Sequence, residues 1–230
     1  WAIVVILSFT LARKFIPKIL PVFDWNYSRL LFKNSWAVSL SLLFNLIYFR
    51  LDTFILSFYK GSFDVGVYNL PYSVFQAVLT IPIFIMNSYY PVMLNILKTG
   101  VTKFYSQIKK TFLIMFILSL AFTLFIYFSS PLVIKILSGS GFEGSVFSLQ
   151  ILSFGLPAYF LSALLMWVMV SHKMYKKLLS IYGIGLLFNL LANLIFIPQS
   201  SYIAASWITG ISEYFILGLQ IIILWWGRKK

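Results

Sequence analysis

Six apolar runs of at least 20 residues each occupy most of the chain, at 35–58, 69–97, 111–134, 146–171, 178–197 and 202–226. A helix of about 20 residues is as long as the hydrocarbon layer is thick, roughly 30 Å. In lipid a single run must satisfy its own backbone, which only a helix does. A barrel would show alternating segments of about 10 residues instead. The chain therefore reads as an all-α, polytopic transmembrane bundle with six complete spans. Hydrophobic residues make up 61% of the sequence and charged ones 10%, which excludes disorder and a soluble enzyme. Residues 1–12 are apolar but too short to span, and read as the tail of a truncated transmembrane helix in a C-terminal fragment. Residues 13–34 then form a cytoplasmic connector, with a short interfacial helix near Asp24–Arg29. Residues 35–230 form a six-helix lobe.

Cations fix the sidedness. Successive connectors and the C-terminal tail carry 5, 1, 4, 1, 3, 0 and 3 Lys or Arg. The odd connectors and the tail hold Arg13, Lys14, Lys18, Arg29, Lys33, Lys98, Lys103, Lys109, Lys110, Lys173, Lys176, Lys177, Arg228, Lys229 and Lys230. The even ones hold only Lys60 and Lys135. Such alternation places the odd connectors and the C-terminus in the cytoplasm. The net charge of +13 thus reads as topology signals facing anionic lipid, not as a nucleic-acid surface. No connector is long enough to hold an extramembrane domain.

Polar residues within spans are costly and mark functional candidates. At 100° per residue, Ser41, Asn45, Tyr48 and Asp52 share one face of the first span, and Arg50 lies nearly opposite. Arg50 reads either as a cation lining a central cavity or as a side chain reaching the outer interface. Glu213 sits near the middle of the last span with Tyr202, Ser206, Thr209 and Gln220 on its face. It suits ion coupling, an ion pair with Arg50, or a hydrogen-bonded packing contact. Tyr182, Gly185, Asn189 and Asn193 align on another span, as helix-packing or cavity residues. Asn69, Ser73, Gln76, Thr80 and Asn87 align on a fourth. Stripes on four helices point to a shared hydrated cavity, and the prolines at 71, 82, 91, 131 and 157 point to kinked walls. The one histidine, His172, lies among lysines at a helix end. There is no cysteine, metal-ligand spacing or phosphate loop, so neither metal nor cofactor is expected.

The stretch YFRLDTFILSFYKGSFDVGVYNLPYSVFQ resembles a block of bacterial oligosaccharide/polysaccharide (lipid-linked O-antigen type) flippases, in which Arg-x-Asp precedes Val-Gly-x-Tyr. Here these are Arg50, Asp52, Val65, Gly66 and Tyr68. The segments 81–93, 134–155 and 189–214 resemble later blocks in the same order, so the likeness covers roughly 35–215. It implies the C-terminal lobe of a two-lobe member of the multidrug/oligosaccharidyl-lipid/polysaccharide exporter superfamily, in the bacterial inner membrane. The implied activity is flipping of an undecaprenyl-diphosphate-linked oligosaccharide to the outer leaflet for cell-envelope polysaccharide such as lipopolysaccharide. Arg50, Asn45, Gln76 and Asn87 would bind substrate, and Asp52 and Glu213 would couple ions. Membrane lipids and polysaccharide assembly proteins are the implied partners, with no nucleic acid. A cation-coupled multidrug antiporter of the same superfamily is the alternative. A membrane polymerase would need a large outer loop, and the outer connectors here are only about 10, 11 and 4 residues. A non-transporting scaffold for assembly partners is the remaining reading.

Overall fold

Proline removes the amide hydrogen that would bond to the carbonyl four residues earlier, and in lipid no water replaces it. This chain places prolines inside most of its long helices and gives three of the stranded carbonyls, those of Val67, Tyr127 and Ser153, a substitute hydroxyl donor. A computed structural model describes residues 2–13, 23–139 and 141–227. The described residues are helical in seven elements, with no strand: α1 (Ala2–Arg13), α2 (Trp25–Tyr59), α3 (Ser62–Thr99), α4 (Val101–Ser138), α5 (Glu143–Ser153), α6 (Leu156–Ser171) and α7 (Tyr175–Gly227). The cations at 14, 18 and 228–230 that entered the topology argument lie outside the described residues.

Two units separate along the chain, Trp1–Trp36 and Ala37–Lys230. In the first, Asp24 caps α2 by accepting the amides of Asn26 at 2.8 Å and Tyr27 at 3.2 Å. The helix expected near Asp24–Arg29 is therefore the first turn of α2 rather than a separate interfacial piece. The second unit holds the core, in which Leu56, Tyr68, Phe75, Phe104, Leu149 and Phe160 are fully buried.

Four helical runs are long and apolar enough to cross a membrane, and the bent pair α5–α6 makes a fifth. The expected six separate spans differ from this in one respect. The spans 178–197 and 202–226 both lie in α7, which is broken only at Ser201, where φ is 50° and ψ is −135°. Its two arms, 175–200 and 202–227, fold back on each other. Phe188 stacks on Phe215 with centroids 4.6 Å apart, and Asn189 donates to Ser212 at 3.2 Å. A Cβ on Gly185 would lie 2.7 Å from Ile216. The turn is held from the α2–α3 connection: Lys60 Nζ donates to the Pro198 carbonyl at 3.0 Å, and Ser201 Oγ donates to Asp64 Oδ2 at 2.6 Å.

The span expected at 146–171 is bent by 44° between α5 and α6. Pro157 leaves the Ser153 carbonyl without its helical donor, and Thr123 Oγ1 on α4 reaches it at 3.1 Å. The Tyr214 hydroxyl donates to the next carbonyl, Phe154, at 3.0 Å. Gly155 lets the bend approach Gly210, whose Cα would lie 3.2 Å from any added Cβ. The same remedy recurs elsewhere. Pro71 strands the Val67 carbonyl, which accepts Ser145 Oγ at 2.8 Å, and Pro131 strands that of Tyr127, which accepts Ser130 Oγ at 2.9 Å. Ser145→Ala should thus destabilise the protein by about 1–2 kcal/mol. Most of that loss should vanish in a Pro71→Ala background, where the helix supplies its own amide. Unfolding of the four proteins in detergent gives the coupling, and purely additive losses would contradict the substitution of one donor for the other.

Candidate functional site

Spacing of four on α2 places Tyr48 and Asp52 on one face, and both are buried. A lone carboxyl is expensive to bury, so it must collect donors. Asp52 collects them from three helical segments. Oδ2 accepts Tyr68 Oη of α3 at 2.9 Å and Thr209 Oγ1 of the second arm of α7 at 2.6 Å. Oδ1 accepts Asn193 Nδ2 of the first arm at 2.6 Å. Asn193 also donates to Asn189 Oδ1 at 2.9 Å, and Tyr68 and Thr209 lie 3.0 Å apart. Every member of this knot is at most 2% exposed. Among the described residues no Lys or Arg pairs with Asp52, and Asn193 Oδ1 has no partner. The knot is therefore rich in acceptors and holds no cation of its own.

Glu213 follows Thr209 by one turn and lies beside the Tyr48 hydroxyl, which also donates to the Thr209 carbonyl at 3.3 Å. Tyr48 thus separates two buried carboxyls. On its far side Glu213 lines a cavity of about 240 Å³ with Asn45, Asn87, Tyr159, Ser162, Trp167 and Tyr182.

The structure brings Asn45, Asn87 and Glu213 to that cavity, and Asp52, Asn189 and Asn193 to the knot. Gln76 is half-buried on α3, outside the cavity lining and with no hydrogen-bond partner among the described residues. Arg50 is exposed on the opposite face of α2, near Tyr72, with no ion pair among the described residues. The pairing of Glu213 with Arg50 weighed above is absent. Tyr159, Ser162 and Trp167 were not singled out from sequence. Tyr159, Ser162 and Met166 recur at helical spacing, but within so apolar a run that only Ser162 breaks the pattern.

Long apolar helices enclosing a buried polar knot define a multi-pass helical membrane protein. Residues 2–97 match the family model described as "Polysaccharide biosynthesis protein". No curated protein and no solved structure matches the chain.

Proposed function

We propose that this protein transports an undecaprenyl-diphosphate-linked oligosaccharide from the cytoplasmic to the outer leaflet of the bacterial inner membrane, by alternating access. The observation that carries the reading is the contrast between helix faces. Between 113 and 128, α4 exposes only apolar residues, as lipid requires. On α2 and α3 the exposed residues include Arg50, Ser73, Thr80 and Asn87, well inside the spans. Arg50 lies about 14 Å along the helix from Tyr59. Ser73 and Thr80 donate to the Asn69 and Ala77 carbonyls of their own helix, whereas Arg50 and Asn87 require water or protein beside them, so this wall suits a hydrophilic path. The match of 2–97 to the family model described as "Polysaccharide biosynthesis protein" supports a substrate from that process. An Arg on that wall is a bidentate partner for a diphosphate.

In this reading the α7 hairpin counts as two crossings, so that 35–227 crosses six times and the C-terminus is cytoplasmic. The lobe then acts as the C-terminal half of a two-lobe exporter, and the Asp52 knot, with its open amide oxygen, accepts the coupling proton or monovalent cation. Arg50→Ala should abolish transfer of fluorescent lipid-linked oligosaccharide across reconstituted vesicles while inserting normally. Transfer at the wild-type rate would remove Arg50 from the path. One observation favours the antiporter alternative: Glu213 in an aromatic-lined cavity suits a cationic amphiphile. Raised resistance to cationic drugs on overexpression, without any glycolipid transfer, would select it.

A further inference from the structure

We infer that the cavity beside Glu213 is a subsite for one sugar ring of the transported glycolipid and excludes its diphosphate. The inference rests on the flippase reading. Among the described residues, the side chains of Asn45, Asn87, Tyr159, Ser162 and Tyr182 make no hydrogen bond with the protein. Ser162 is 5% exposed and Tyr182 8%, and both residues line this cavity. Buried polar groups left unpaired are costly and rare. Here Ser162 and Tyr182 are buried, Asn45 and Tyr159 half-buried and Asn87 exposed, and the five unpaired side chains around one cavity define a place for a polar occupant.

The chemistry of the lining selects that occupant. Amides and hydroxyls both donate and accept, as sugar hydroxyls do. The Trp167 ring, held against Tyr90 with centroids 4.4 Å apart, supplies an apolar wall for the carbon face of a ring. No Lys or Arg lines the cavity, so nothing in its wall pairs with a phosphate. A volume of about 240 Å³ equals that of about eight liquid waters, which suits a single ring and not an oligosaccharide. The diphosphate is left to the outer wall, where Arg50 stands.

The test uses the whole protein in nanodiscs. Methyl β-glucopyranoside, methyl glucosaminide and inorganic pyrophosphate serve as probes, read by saturation-transfer NMR. The glycosides should receive saturation, and Glu213→Gln and Ser162→Ala should each weaken glycoside binding about tenfold. Arg50→Ala should leave it unchanged. Pyrophosphate should be indifferent to the two cavity variants. Glycoside binding equal in wild type and both cavity variants would overturn the subsite, as would tetraphenylphosphonium binding that depends on Glu213 without any glycoside binding. Glycolipid transfer in vesicles is measured in parallel. Transfer with no effect of the variants on binding defeats the subsite alone. Variant-sensitive glycoside binding without any transfer defeats the flippase reading alone.

Discussion

Asp52→Ala is expected to be the most damaging substitution in the lobe. It removes the acceptor of Tyr68, Thr209 and Asn193 at once, at a position only 2% exposed. Each donor loses its bond to the carboxyl and falls back on a weaker neutral acceptor, Thr209 Oγ1 for Tyr68, the Ala205 carbonyl for Thr209 and Asn189 Oδ1 for Asn193, which should cost on the order of 3–5 kcal/mol. Because these donors come from α3 and from both arms of α7, the loss should appear as dissociation of α7 and not as local fraying. Thermal unfolding followed by size exclusion in detergent reads it, and an unfolding midpoint within a degree or two of wild type would contradict the knot. Asp52→Asn separates charge from shape. It keeps the volume and one acceptor, so it should cost less stability than alanine. If the knot couples an ion, the variant should still lose the dependence of transport on the ion gradient.

The second large effect concerns a contact made of nothing but backbone. Gly155 sits at the break between α5 and α6, and a Cβ there would stand 3.2 Å from the Gly210 Cα. Main-chain atoms cannot rotate away as a side-chain tip does. Small residues permit such close helix approach in membranes. Gly155→Val should therefore separate the bend from the second arm of α7, break the Tyr214–Phe154 hydrogen bond and destabilise by about 1–3 kcal/mol, by analogy with overpacked cores. Gly185→Ala makes a useful contrast. It adds a single methyl group against a side chain, Ile216, which can shift by a few tenths of an ångström more readily than main chain can, so the cost should be smaller. Equal losses at the two glycines would show that the Gly155–Gly210 approach carries no special strain.

The polar faces were legible in the sequence because helical geometry alone determines which residues share a side. Tyr48 with Asp52, Asn189 with Asn193, and Thr209 with Glu213 each follow from a spacing of four. What these faces meet was not legible. Asn193 reaches Asp52 across 141 residues, and nothing local distinguishes that partner from Arg50. The long helices were read too short at their starts. Apolar patterning marks the lipid-facing part, whereas α3 and α4 begin earlier, at Ser62 and Val101, in stretches whose apolar pattern is interrupted by Asp64 and by Lys103, Lys109 and Lys110. The bend at 154–155 was hidden for a different reason. Pro157 signals a lost hydrogen bond, but the size of a bend depends on which donor replaces it, and Thr123 and Tyr214 lie on other helices.

The reversal at Ser201 also decides a matter of parity. A straight α7 of 53 residues would be about 80 Å long, more than twice the hydrocarbon thickness. Its far end would emerge opposite Lys176 and Lys177. Turned back at one residue, it returns Trp225 and Trp226 to the end at which Tyr175 began. In the six-crossing reading proposed above, the side of the membrane on which α7 ends follows from a single pair of backbone dihedrals. The clasp of Lys60 and Asp64 on the 198–201 turn guards the address as much as the packing.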